Sequence, residues 1–297
     1  MSATIGKASP AGPPGETQES TDTTTSSDTS KQPPYLKALG ATLVTIDGRP
    51  IEIWRLTPPS EPAHLSGWAK RFRQQYCPDG EIDVLRSGTG YSKAEFLRQI
   101  LFPDKSKAPG PSIRAGDFAE LLVSDYIEFL LGYWVPRGKY ADKAVRNESV
   151  KGVDILGFKL LSAAQSSPAD ELLTFEVKAQ LTGAKCTGRL QEAIDESGLD
   201  YLRRAMTLNA TKRRLLREGE VGSARTVERF QNPTDHPYVY KSGAAAVLSD
   251  SIFDPVSIQL ANTANHPNQK HMTLLVIRGA DLMSLVHAIY DRAADEA

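Results

Sequence analysis

The stretches VKGVDILGFKLL (Val150–Leu161) and ELLTFEVKAQL (Glu171–Leu181) decide the reading of this chain. Each is a short run of aliphatic, β-branched and aromatic residues, and each reads as a strand. Side chains alternate faces along a strand. Leu173, Phe175, Val177, Ala179 and Leu181 therefore form one face of the second, and Leu172, Thr174, Glu176, Lys178 and Gln180 the other. The first face reads as core, and the second is expected to meet water or a cleft. In the first strand Asp154 shares its face with Leu156, Phe158 and Leu160, with Val153 and Ile155 opposite. An unpartnered carboxylate on an apolar face is costly. Asp154 thus calls for hydrogen bonds, a cation, or a strand end where a cleft opens. Lys178 is one candidate cation, and a metal ion is another.

Working outward, GDFAELLVSDYIEFLLGYW (Gly116–Trp134) reads as an apolar helix with a polar stripe at Glu120, Ser124 and Glu128. Beyond the two strands, Arg189–Leu216 has a helical period through Leu190, Ile194, Tyr201, Ala205 and Leu208, with Gly198 as its break. YVYKSGAAAVLSDS (Tyr238–Ser251) and HMTLLVIRG (His271–Gly279) read as further strands, and DLMSLVHAIYDRA (Asp281–Ala293) as a closing helix. This order implies an α/β fold with a mixed central sheet flanked by helices. Upstream, Ala41–Leu56 alternates around Asp47-Gly48, a hairpin signal, and Glu61–Tyr76 reads as an amphipathic helix. Ser92 with Glu95 makes a capping-box pattern. The glycines before it lack the lysine of a phosphate-cradling loop. The proline-rich Phe102–Ser112 is the best linker candidate. The expected organisation is a disordered tail over 1–34, a smaller N-terminal α+β region over 35–104, and a core over 111–297. The tail is rich in Ser, Thr, Pro and Gly and lacks the apolar residues that offset ordering entropy.

The 297 residues carry a formal net charge of −1, with Cys77 and Cys186 far apart. That spacing offers neither a disulfide framework nor a zinc site. The thiols read as reduced, in a cytoplasmic protein. The N-terminus has no apolar signal region, and no apolar run reaches the length of a membrane span. Near-neutral charge excludes binding nucleic acid by bulk electrostatics, leaving a local patch or delivery by a partner. The five histidines lack partners at metal or catalytic spacing and read as structural or surface groups.

Two carboxylates on adjacent strands suit Mg²⁺ or Mn²⁺, since Mg²⁺ commonly takes one or two carboxylates and fills its other positions with water and phosphate. Asp154 and Glu176 can converge on one such ion. Lys178 shares the strand face of Glu176 and can steady charge on a phosphate. Gln180 continues that face as a further candidate. The alternative for Glu176 and Lys178 is an ion pair on an exposed strand, which is worth little. Val153-Asp154 followed by Glu176-Val177-Lys178 resembles the PD-(D/E)xK nuclease superfamily, with Val153 in place of its proline. The resemblance implies a restriction-endonuclease-like core, Mg²⁺-dependent phosphodiester hydrolysis, and a further acid on the preceding helix, where Glu120 matches by position. Asp117 as N-cap with Glu120 three residues on is the alternative account of that acid.

Lys185 and Arg189 follow the second strand and open the next helix, where basic groups suit phosphate. VKGVDILGFKLL, FEVKAQLTG, GRLQEAIDESGLDYL and LLVIRGADLMSLVHAIYDRA together resemble HamA, the nuclease subunit family of Hachiman-type anti-phage defence systems. That resemblance implies a DNase held by a superfamily 2 helicase, with residues 35–104 a candidate for docking it. A non-catalytic interaction subunit on the same fold, or an RNA-directed nuclease, is the competing reading.

Overall fold

The computed structural model describes Pro33 and residues 35–297; the expected tail over 1–34 otherwise lies outside the described residues. The alternation around Asp47-Gly48 folds as expected into β1 (Leu36–Val44) and β2 (Pro50–Leu56), an antiparallel pair. Three helices follow, α1 (Pro62–Gln74), α2 (Ile82–Arg86) and α3 (Lys93–Phe96). The last opens on the capping box read from the sequence: Glu95 donates its backbone N–H to the Ser92 side chain, and its own carboxylate accepts from the Ser92 N–H at 2.9 Å. The apolar helix α4 spans Gly110–Asp125. Next come β3 (Ile155–Lys159), β4 (Glu171–Gln180), α5 (Arg189–Ser197), α6 (Asp200–Arg217) and α7 (Val221–Arg229). The chain closes with β5 (Val239–Ser249), α8 (Pro255–Gln259), β6 (Met272–Gly279) and α9 (Leu282–Asp295).

These strands form one six-stranded mixed sheet in the order β1-β2-β6-β5-β4-β3. The four central strands run parallel, and an antiparallel strand closes each edge. Parallel neighbours need crossover connections, which lay helices on both faces. On one face α1, α4 and α9 pack over Phe175, Val177, Ala245 and Leu275. On the other, α5 covers Ala244, Ala246 and Leu274, while α6 and α7 cover Leu156, Phe158 and Leu172. Residues 35–104 share this sheet and core with 111–297, because β2 pairs with β6 and α1 packs against α9.

The run GAAAV in β5 follows from its central place. Ala244 and Ala246 face one helix layer and Ala245 and Val247 the other, so small side chains let both layers approach. Gly243 is set by a closer constraint. It lies beside Phe175 on β4, and a Cβ at this position would stand 2.1 Å from the ring. Phe175 is fully buried and cannot yield without moving its neighbours. Gly243→Ala is therefore expected to cost about 3 kcal/mol, the upper range for overpacking a core. Chemical denaturation reads this as a lowered midpoint at unchanged slope.

The structure corrects several expectations. The strand read over 150–161 is confined to Ile155–Lys159. Helix α4 begins at Gly110, so Asp117 sits mid-helix and is buried; it is no N-cap. The linker candidate is tied down, with Phe102 fully buried and Arg114 Nε donating to the Pro103 carbonyl at 2.7 Å. In α6, Tyr201 and Ala205 face solvent; the buried face is Asp200, Leu208, Thr211, Arg214 and Leu215.

Candidate active site

Asp154 lies one residue before β3, just after a turn that the sequence dictates at Gly152. That glycine takes φ +121°, and a Cβ on it would stand 2.6 Å from Thr207 Oγ1. Thr207 Oγ1 then accepts the Val153 N–H at 3.0 Å, fixing the approach to Asp154. Asp154 sits one step beyond the last ladder pair, Ile155–Phe175, which brings it near Glu176. Its Oδ2 accepts the Val177 N–H at 2.9 Å, so the carboxylate closes the ladder end. Its backbone carbonyl accepts from Lys139 Nζ at 2.6 Å.

Glu176 does not face water as its alternation suggested. Helices α5 and α6 cross its face of β4, and it is 3% exposed. Oε1 accepts from Lys178 Nζ at 2.8 Å, and the same ammonium bridges to Glu196 Oε2 on α5 at 2.8 Å. Oε2 is buried and has no hydrogen-bond partner. Arg203 on α6 reaches within 3.7 Å of it. Asp200, the first residue of α6, is fully buried, and neither of its oxygens is hydrogen-bonded. Glu120, on α4, ion-pairs with Lys139 and accepts the Tyr140 hydroxyl at 2.8 Å.

Electrostatics tie these groups together. Burial, then the charge of Glu176, raises the Asp154 carboxyl to about 6. Burial raises Glu176 to about 7 against the pull of Lys178. Burial and the charge of Asp154 raise Asp200 to about 7. Glu120 is raised by burial, with Asp154 adding to it. Lys178 is shifted upward by Glu176 and Glu196 despite its desolvation, so it stays an ammonium and serves as a cation, not a base.

The sequence-read candidates thus separate. Asp154, Glu176 and Lys178 come together, with Glu120 at the edge of the same charge cluster. Gln180 is spent on the following loop: its Nε2 donates to the Lys185 carbonyl at 2.7 Å and its Oε1 accepts the Thr187 N–H at 3.1 Å. Lys185 is exposed, and Arg189 pairs with Glu192 at 2.5 Å. Lys139, Glu196 and Asp200 had not been read as site residues; Arg203 belongs to the basic pair Arg203-Arg204, which the sequence leaves open between a solvated helix face and a nucleic-acid contact. The Gly198 break was the available signal for Glu196 and Asp200, since it turns the chain so that acids on either side face β4. Lys139 opens a short 3₁₀ turn, Lys139–Asp142, that carries no sequence signal.

Among the described residues, no group of three or more His, Cys, Asp or Glu is arranged to hold a metal ion. The pair Asp154 and Glu176 nevertheless suits one. Glu176 Oε2 is a buried anionic oxygen lacking a donor, and two carboxylates suffice for a hydrated Mg²⁺. At the buried Ser197–His266 pair a serine–histidine site is excluded by tautomer. His266 Nδ1 accepts the Asn268 N–H at 3.1 Å, so Nε2 carries the proton and donates to Ser197 Oγ at 3.0 Å. Such an imidazole cannot take the serine proton.

These shifts have a signed consequence. For Asp154, Glu176 and Asp200 the folded pKa lies above the unfolded one, near 4. The native state then holds protons that the unfolded chain has released. Stability is fully present below the unfolded value and falls as pH rises through 6 and 7, by up to about 1.4 kcal/mol per pH unit for each group. His266 and His287, lowered by burial, act in the opposite sense below about 6.5. A melting series is expected to show Tm dropping between pH 6.5 and 8. Millimolar Mg²⁺ should restore more of it at pH 8 than at pH 6.

Comparison with known proteins adds one finding. The family model described as HamA matches residues 34–293, nearly the whole chain. No curated protein sequence matches it.

Proposed function

This chain belongs to the HamA family, and from that premise we propose that it is a metal-dependent deoxyribonuclease, the effector subunit of a Hachiman-type defence complex held by a helicase partner. The observation that carries the reading is Glu176. Its buried carboxylate lies close enough to Asp154 for the two charges to interact, holds Lys178 on one oxygen, and leaves the other without a donor. Burying that charge costs several kcal/mol, which a cation bound at the open oxygen would offset.

Asp154 and Glu176 would hold one Mg²⁺ or Mn²⁺. When bound, the cation lowers the pKa of a water and offsets phosphate charge. The chain supplies the rest. Lys178 places a fixed positive charge beside Glu176, where a phosphate gains negative charge as water oxygen bonds to phosphorus and the ester oxygen departs. Lys139 neutralises Glu120 and braces the Asp154 backbone. Helices α5 and α6 exclude water from the far side of Glu176, which strengthens each of these interactions.

The test is cleavage of matched DNA and RNA by the purified chain, alone and after release from its helicase. Mg²⁺ should permit DNA cleavage and EDTA should stop it. Asp154→Ala, Glu176→Ala and Lys178→Ala should each abolish it with the fold retained. RNA cut in preference to DNA would establish the RNA-directed reading. Helicase binding without cleavage in any state would establish the interaction subunit.

A further inference from the structure

The cations of the site are not alike. Lys178 spends its ammonium on Glu176 and Glu196, and Lys139 spends its own on Glu120 and the Asp154 carbonyl. Arg204 stacks on the Tyr240 ring, 4.3 Å from its centroid. Arg203 differs. Its Nη1 lies 3.7 Å from Glu176 Oε2 and 4.0 Å from Asp200 Oδ1, too far for hydrogen bonds. Both of those oxygens are buried and lack any hydrogen-bond partner. Arg203 and Arg204 both make no side-chain hydrogen bond among the described residues, but the guanidinium face of Arg204 is spent on Tyr240, whereas Arg203 stands beside the two open carboxylate oxygens. It is 29% exposed, so one side of it meets solvent.

This pattern is uneconomical for a structural ion pair, which would close to hydrogen-bond distance and satisfy both carboxylates. It suits a guanidinium held by charge while its planar fork of donors stays open. A phosphate diester offers the matching pair of oxygens, and Arg binds such groups through two parallel N–H···O bonds. Asp200 stands one turn before Arg203 on α6 and is fully buried. Its negative charge draws the guanidinium toward Glu176 without capping its outer edge.

We propose that Arg203 is the phosphate-binding cation of this site and that Asp200 is a positioning residue acting through it. This rests on the nuclease reading, in which a backbone phosphate must lie beside Glu176 and Lys178.

The experiment uses the full chain and a short labelled duplex DNA in EDTA, where binding is read without cleavage, across a salt series. Arg203→Ala is expected to weaken binding about 10-fold and to reduce the salt slope by about one phosphate contact. Arg203→Lys, which keeps charge but loses the fork, should recover the slope and only part of the affinity. With Mg²⁺ and saturating DNA, Arg203→Ala should also lower kcat. Asp200→Asn should weaken binding in the parent and have no further effect in Arg203→Ala. Parent-like affinity, slope and kcat in a folded Arg203→Ala would overturn the assignment while leaving the nuclease reading intact. Equal effects of Asp200→Asn in both backgrounds would overturn the positioning role. A parent that binds neither duplex DNA nor matched RNA would remove the nucleic-acid reading, and this proposal with it.

Discussion

Glu176→Gln is expected to eliminate DNA cleavage, lowering it by at least about 10²–10³-fold, the range for losing one preorganised charged group at a reacting centre. The substitution keeps shape and volume. It removes the negative charge that would hold the cation with Asp154 and that anchors Lys178 at 2.8 Å. The same change should not weaken the fold. Glu176 Oε2 is buried without a donor, and burial already pushes its pKa to about 7. A neutral amide avoids that desolvation cost. At pH 8, Tm of Glu176→Gln is therefore expected to equal or exceed that of the parent, and its fall with pH should be shallower. Loss of activity together with a large loss of Tm would mean that Glu176 is a structural ion-pair member.

The largest effect on stability is expected at Lys143→Met. Lys143 and Asp117 form an ion pair at 2.5 Å with side chains 4% and 3% exposed. Asp117 Oδ2 also accepts the Tyr76 hydroxyl at 2.6 Å, and Tyr76 meets Tyr290. The cluster thus joins α4 to the end of α1 and to α9. Removing the lysine leaves a buried charge, a change that costs about 3–5 kcal/mol. Burial already raises Asp117 to about 6, and without Lys143 it would rise further. The loss should be greatest at pH 8 and smaller near pH 5, where the carboxyl takes up a proton in the native state. Adding Asp117→Asn should recover much of it. Denaturation at the two pH values, on both variants, checks sign and coupling together.

What could be read from the sequence, and what could not, has physical causes. Strand β4 and the β1–β2 hairpin were legible because strict alternation and an Asp-Gly turn are local signals. The capping box was legible for the same reason. The burial of Glu176 was not. Alternation of Leu173, Phe175 and Val177 against Thr174, Glu176 and Lys178 suggests a half-exposed strand. Yet β4 pairs in parallel with β5, and the crossover between them lays α5 and α6 on the polar face. Only topology decides that. The late start of β3 was hidden because its cause is tertiary: Thr207, from α6, takes the Val153 N–H beside Gly152. The buried face of α6 was misread because it carries Asp200, Thr211 and Arg214, polar side chains that apolar periodicity cannot find. The missed Asp200 and the site cation Arg203 lie on that helix. Hydrophobic patterning thus located the strands and much of the core, while the full polar site required the fold.

The central claim is that Asp154 and Glu176 share one divalent cation beside Lys178. A crystal of the full chain soaked in Mn²⁺, examined by anomalous scattering, tests it most directly. The account predicts a single strong peak bonded to Asp154 and to the open oxygen of Glu176, absent in Glu176→Gln. A saturating soak that leaves those two carboxylates bare, or that places manganese elsewhere on the molecule, would contradict it.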